Sequence, residues 1–201
     1  MPEILKKLIN IISLLPGIGD KSATKLAFFL LNANSNYITN FAKTLVDLKQ
    51  NIGKCEDCNS LLDSGKDKCE ICSNKERKHD IICIVEEYLD MLSIEQTGYY
   101  NGTYHILGGA ISPINGVFVG DLNFPTLFKR IENNSHTELI LATNPNIEGE
   151  ATAMYIKEEI EKRGLKNKVI ITRLSKGISA GYIEYADNIS LINSIKDRKE
   201  I

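Results

Sequence analysis

"TELILATNPNIEGEATAMYIKEEIEKRG", residues 137–164, contains the handover on which the fold is read. "TELILATN" is a short run of strand-forming residues, and "GEATAMYIKEEIEKRG" has the composition of a helix that closes on Gly164. Two carboxylates, Glu148 and Glu150, flank a single glycine where the strand passes into the helix. A metal site, a catalytic pair and a plain helix N-terminus all place acids there. The helix dipole favours acids in a first turn by about 0.3–1 kcal/mol, which accounts for one of the two better than for both.

The same alternation runs on either side. "DIICIVEE" (80–87) reads as a strand and "YLDMLSIEQTG" as a helix; "TYHILGG" reads as a strand, "DLNFPTLFKRIEN" contains a helix, and "KVIITRL" is a further strand. Strand and helix in alternation predict an α/β fold with a parallel sheet covered on both faces. Sites in such sheets lie at the carboxyl ends of the strands. Glu86 and Glu87 end the first strand, with Asp90 one turn into the helix; Gly108 and Gly109 end the second; Glu148 and Glu150 follow the third. Three or four carboxylates on one edge can hold Mg²⁺ through oxygen ligands and water. Cys83, between apolar residues, is expected to pack as a small hydrophobe. His79, His105 and His136 are scattered and show no ligand spacing.

Upstream, "CEDCNSLLDSGKDKCEIC" places Cys55, Cys58, Cys69 and Cys72 as two C-x-x-C pairs. Four thiolates complete a closed tetrahedral zinc site, with no position left for a substrate. Some 25 residues cannot build a core of their own, so zinc is expected to supply the folding energy, roughly 10–16 kcal/mol in small zinc peptides. Two disulfides are the rival, in a chain that reads as cytoplasmic.

The first 50 residues carry helical patterning. Ile4, Leu5, Leu8, Ile11, Ile12 and Leu15 share one face, and Ala23, Leu26, Ala27, Leu30 and Leu31 share another. A third helix around Tyr37–Lys49 is expected to turn Ile38, Phe41, Ala42, Leu45 and Leu48 inward. Between the first two lies "LLPGIGDKSATKLA". Gly17 and Gly19 flank one apolar residue, and their missing Cβ atoms let backbone N–H groups approach an anion at a helix start. Lys21 and Lys25, four apart, share a face of that helix. The motif resembles a helix–hairpin–helix, which grips the DNA backbone without reading sequence. A plain connector with surface lysines is the alternative.

Composition agrees with a globular chain: 201 residues, 43% hydrophobic and 25% charged, with no run near the ~20 apolar residues that span a bilayer. The N-terminus reads as an amphipathic helix and not a signal peptide, so a cytoplasmic location is expected. The net charge of −2 is unevenly spread. Residues 1–54 hold seven lysines against Glu3, Asp20 and Asp47, a net +4, which leaves −6 for the rest. Nucleic-acid contact is therefore expected at the N-terminal end.

A Glu after one hydrophobic strand and an acid pair after a later one resemble the Toprim fold of topoisomerases, primases and some nucleases. The order of parts is more specific. Helix–hairpin–helix, four-cysteine module, Toprim and short C-terminal tail in about 200 residues resemble the RecR family of bacterial recombination mediators. The stretches that carry it are "LPGIGDKSATKLAFFLL", "CEDC…CEICSN", "ICIVEEYLDMLSIEQTG", "ILGGAISPINGV", "ILATNPNIEGEATAMYI" and "TRLSKGISAGYIEYAD". The resemblance divides the chain into a DNA-binding module (1–53), a zinc module (54–78), a Toprim domain (79–175) and a tail for oligomer contacts (176–201).

It implies a non-enzymatic, nucleoid-associated DNA clamp in recombinational repair. Such a clamp binds double- and single-stranded DNA without sequence preference and assembles as a homo-oligomer, a closed tetrameric ring, with Lys21 and Lys25 facing its hole. It partners with RecO, and often RecF, to load RecA onto single strands coated by single-strand-binding protein. Glu86, Glu148 and Glu150 correspond to the Toprim acids, with Asp90 nearby, on a surface for partner contact. Two departures stand out: Lys176 and Gly181-Tyr182 replace the family's tail His and Gly-Gly, and "FVGD" (118–121) replaces its G-P-E. The alternative is a Mg²⁺-dependent Toprim nuclease or primase-like enzyme, although 201 residues hardly supply a primase's further domains.

Overall fold

The computed structural model describes residues 1–134, 136–175 and 182–201. Lys176 and Gly181, two of the divergent tail positions, lie outside the described residues. The chain divides into two compact units, Met1–Asn51 and Ile52–Ile201.

The first unit is three helices: α1 (Glu3–Ser13), α2 (Asp20–Asn32) and α3 (Ser35–Gln50). Leu5 and Ile12 of α1 and Ala23 and Ala27 of α2 are buried together. The small alanines let the two helices approach closely. The expected inward face of α3 differs from what is seen. No residue of α3 is buried, and Phe41, Leu45 and Leu48 are exposed. Ile4, Ile11 and Leu15 of the predicted α1 face are exposed as well, as are Leu26 and Leu31 of the α2 face. Ile4, Leu8, Ile11, Ile38, Phe41 and Leu45 line an open apolar groove of about 750 Å³ instead of a closed core. Three short helices have too little chain to enclose that much apolar surface.

The second unit opens with an antiparallel pair, β1 (Ile52–Lys54) and β2 (Leu61–Asp63), and a single turn, α4 (Glu70–Ser73). There follow β3 (Lys78–Val85), α5 (Tyr88–Gln96), β4 (Gly102–Ile106), α6 (Phe124–Glu132), β5 (Thr137–Ala142), α7 (Ile147–Lys162), β6 (Val169–Arg173), α8 (Asn188–Lys196) and β7 (Lys199–Glu200). The sheet order is β4-β3-β5-β6-β7, parallel throughout except for β7, which adds antiparallel to β6. The parallel α/β reading therefore holds, and the terminal strand is an addition that the pattern did not reveal.

Each central strand feeds two cores, because successive side chains point to opposite faces. Ile82, Ile84, Leu139 and Leu141 pack with Phe124, Phe128 and Ile131 of α6 and with Ile156 and Ile160 of α7. Cys83, Val85, Ile140 and Ala142 pack on the other face with Met91 and Ile94 of α5 and Leu191 and Ile195 of α8. Strands buried on both faces read as continuous apolar runs, which is why "IICIV" and "LILA" show no alternation. Cys83 is a free, fully buried thiol in the second core, as its neighbours suggest.

Register sets the position of the site. Val85 stands opposite Ala142, so the chains leaving β3 and β5 emerge side by side. Leu139 lies at the centre of β5, fully buried. Leu139→Ala is expected to destabilise the second unit by about 2–5 kcal/mol, seen as a lower midpoint in urea at unchanged slope.

Candidate functional site

The cysteine cluster forms where β1 and β2 turn back on themselves. Asn59, between the two halves, adopts a left-handed backbone (φ 63°), and its amide donates to the Ile106 carbonyl at 3.0 Å. The Ile106 N–H donates to Cys58 O at 2.9 Å. The module is thus stitched to β4, an edge strand whose free polar groups need partners.

Cys55, Cys58, Cys69 and Cys72 are all buried, and their sulfurs lie within 4.8 Å of one another. Cys58 and Cys69 Sγ stand 3.6 Å apart. Four sulfurs at about 2.3 Å from one centre would stand about 3.8 Å apart, so the donor set fits a tetrahedral metal. Backbone N–H groups of Cys69 and Cys72 donate to Cys55 Sγ and Cys69 Sγ at 3.3 and 3.4 Å. Hydrogen bonds from the Cys58 and Cys72 thiols hold Cys69 well below the usual thiol range. No disulfide joins any of the five cysteines.

The acids at the sheet's carboxyl edge are arranged differently from a metal cluster. Glu86 follows β3 and is only 6% exposed. The backbone N–H of Asn144 donates to its Oε1 at 2.8 Å, and Asn144 Nδ2 donates to Oε2 at 2.6 Å. Both carboxylate oxygens are engaged by one residue. Burial raises the Glu86 pKa, and the two Asn144 bonds oppose that rise. The Glu86 carbonyl accepts from the N–H groups of Gly108 and Gly109, at 2.9 and 3.0 Å. Asn144 Oδ1 in turn accepts from the Ile183 N–H at 2.9 Å, so the tail is tied to the same point.

Gly149, the glycine between the two acids, is explained by this packing. A Cβ there would stand 2.1 Å from Asn144 O and 2.7 Å from Glu86 Oε1. The first turn of α7 therefore lies directly over the Glu86 carboxylate. Asn146 caps that turn, accepting from the Gly149 N–H at 2.7 Å.

Asp90 is 2% exposed and accepts from the Glu87 N–H at 2.9 Å at the start of α5. Glu150 is exposed and pairs with Arg173 Nη2 at 2.7 Å. Glu148 is half-buried in the same first turn of α7, and its carbonyl accepts from the Thr152 hydroxyl. Among the described residues, the cysteines are the only group of three or more donors close enough to share an ion. The expected edge of gathered acids exists as an address at the strand ends, but its carboxylates are dispersed to separate protein partners. Asn144 and Arg173 were not singled out in the sequence. A polar residue ending each of two apolar strands was the signal available.

The histidines hold no metal position. His105 is buried with Nε2 against Asn123 O at 2.8 Å, while His79 and His136 are exposed. In "FVGD", Asp121 accepts from the Phe118 N–H at 2.8 Å and closes a short 3-10 turn.

In the first unit, Gly17 takes a left-handed backbone (φ 78°) and Gly19 stands at the N-cap of α2 with no side-chain cap. The Ala23 N–H donates to Gly19 O, which leaves the amides of residues 20–22 without helical partners. A Cβ at either glycine would meet nothing within 4 Å. Lys21 and Lys25 are exposed on α2.

Two family models match the chain. One described as "RecR, helix-hairpin-helix" matches residues 5–49, and one described as "Toprim domain" matches residues 80–174. The four-cysteine cluster falls between them. The chain belongs to the RecR family. Its role is accordingly RecR-like, in recombinational repair, and its helix–hairpin–helix implies DNA binding. Among the described residues, no helix is long and apolar enough to cross a membrane.

Two outcomes follow from the geometry. Protein purified without chelator is expected to carry one tightly held metal ion per chain by elemental analysis, and Cys69→Ser to lose both the ion and thermal stability. Asp90 gives a pH test. Burial is the main cause of a pKa raised to about 6, opposed by the Glu87 N–H and reinforced by the Glu86 charge. A carboxyl raised on folding costs no stability below its unfolded value; the cost grows as pH climbs from there to about 6 and levels off above it. Asp90→Asn keeps an acceptor for the Glu87 N–H. It is expected to exceed the wild type by about 1–3 kcal/mol near pH 8, with a gain that shrinks below pH 6. Urea midpoints across that range check the sign.

Proposed function

We propose that this RecR-family chain is a non-enzymatic DNA clamp that works with RecO, and with RecF, to load RecA onto single strands coated by single-strand-binding protein. The observation that carries the reading is the hairpin of the first unit. Three unpartnered amides, a cap without a side chain and two exposed lysines converge on the start of α2. Such a site takes a backbone phosphate through N–H groups and charge, on double or single strands, and has no means of reading a base.

Oligomerisation is part of the proposal. One hairpin neutralises few phosphates, and non-specific affinity grows with the number neutralised. Several copies on one DNA multiply those contacts. The open apolar groove of α1 and α3 supports assembly, since a second copy of the chain would cover it, and a closed tetrameric ring satisfies both demands. The metal of the cysteine cluster is Zn²⁺ in this reading, selected by four thiolates and serving as a staple. The edge of Glu86, Asp90, Glu148 and Glu150 serves partner contact, through Glu148 and the exposed Glu150, and not strand cleavage; the support is that three of the four are already engaged by protein groups.

Lys21→Ala with Lys25→Ala is expected to weaken binding about equally for all DNA sequences. It should also flatten the salt dependence, by about 0.9 in log–log slope for each phosphate that is no longer neutralised. Gly19→Ala is the sharper probe. It has room for the methyl and an ordinary backbone, so stability should fall by no more than about 1 kcal/mol, the cost of Ala at an N-cap, while DNA affinity falls. Unchanged DNA binding by both variants in a strictly monomeric protein would sink the clamp. Mg²⁺-dependent cleavage or primer synthesis by the wild type would favour the enzyme reading.

A further inference from the structure

A Toprim edge is expected to hold a divalent cation, and the residues of this one do not fit such an ion. Mg²⁺ needs carboxylate oxygens with free lone pairs converging at about 2.0–2.1 Å on one centre. Glu86 accepts from Asn144 on both oxygens and Asp90 accepts from the Glu87 N–H, and among the described residues these carboxylates are not gathered closely enough to share one ion. The remaining feature is Arg173, at the end of β6. Its guanidinium is mostly buried, with a side-chain exposure of 15%. It donates to Thr143 Oγ1 at 2.8 Å, to Leu141 O at 3.4 Å and to Glu150 at 2.7 Å. Thr143 Oγ1 donates onward to Gly149 O at 2.7 Å. The cation thus joins the end of β5 to the first turn of α7.

We infer that Arg173 is the edge's built-in counter-ion: with Asn144 on Glu86, its guanidinium takes the place of the divalent cation, and the resting protein holds no Mg²⁺ there. Three features support the assignment. The guanidinium stays charged at every working pH, so Glu150 keeps its counter-ion without regard to metal supply. It is also held by Thr143 Oγ1 and Leu141 O, so swinging away from Glu150 would break those bonds as well. A second positive charge brought beside Glu150 would meet repulsion from the guanidinium already there. Arg173 acts here as a positioning residue, holding Glu150 and the α7 turn in place. The inference does not depend on the clamp reading, because a metal-free edge is compatible with any partner.

The test uses zinc-loaded full-length protein and Mn²⁺ as the probe, read by electron paramagnetic resonance. The thiolate site disfavours Mn²⁺, so it does not interfere. Wild type is expected to bind Mn²⁺ weakly, with no saturable site at about 1 mM, the weak end of oxygen-ligand sites. Arg173→Gln keeps a hydrogen-bond donor but removes the charge, and is expected to bind Mn²⁺ at least about tenfold more tightly. Arg173→Lys keeps the charge and should behave as wild type. Zinc content and far-ultraviolet circular dichroism check that each variant is folded. Saturable one-to-one binding by the wild type would overturn the inference, as would a folded Arg173→Gln with unchanged affinity or an Arg173→Lys that gains affinity. If Arg173→Gln fails to fold, the wild-type titration decides alone.

Discussion

Glu86 is a carboxylate withdrawn from water at the end of the central strand, and the loops around it are arranged to satisfy it. A buried charge without partners is costly, so its surroundings must supply donors at fixed places. Asn144 supplies two, from its backbone and its side chain. That demand sets the path of the chain after β5 and brings the first turn of α7 down so close that only glycine fits at 149. It also leaves the side-chain oxygen of Asn144 free to hold the tail at Ile183. The edge, the helix start and the tail share one anchor. A change at Asn144 would therefore reach all three, which makes coupling between tail position and edge a property of the fold.

The cysteine module answers a second constraint, that of an exposed sheet edge. β4 would present free N–H and C=O groups, and the knuckle around Cys58 and Asn59 takes both polar groups of Ile106. The module and sheet form one compact unit for this reason. A metal bound by the four sulfurs therefore stabilises the sheet's edge as well as the loop that carries it, although no sulfur touches the acidic edge.

The first unit shows the opposite economy. Its two buried alanines secure α1 against α2, but α3 contributes nothing to a closed core. The apolar face of α3 is an unsatisfied surface within its unit, and exposed apolar patches of this kind mark interaction sites. The unit that carries the helix–hairpin–helix thus also presents an open apolar groove.

Some of this was legible in the linear sequence. Apolar runs such as "IICIV" and "LILA", with helical patterns between them, determine a parallel α/β sheet, because only strands buried on both faces are written that way. The paired C-x-x-C spacing marks four thiols that can share one metal centre, since each pair brings two sulfurs close together. Gly17 and Gly19 determine a tight hairpin with free amides at a helix start, since the geometry is local to a few residues. What tertiary structure alone decided is which groups meet. The pairing of Asn144 with Glu86 spans 58 positions, and that of Arg173 with Glu150 spans 23. Neither follows from local spacing, because register and crossover set both. The acids at 86, 90, 148 and 150 could be read as a metal edge from their places at strand ends, but whether their oxygens point at one ion or at separate protein donors depends on the neighbouring loops. The face of α3 likewise reads as inward by periodicity. Periodicity records which face is apolar, and only the packed chain shows whether anything in it is large enough to cover that face.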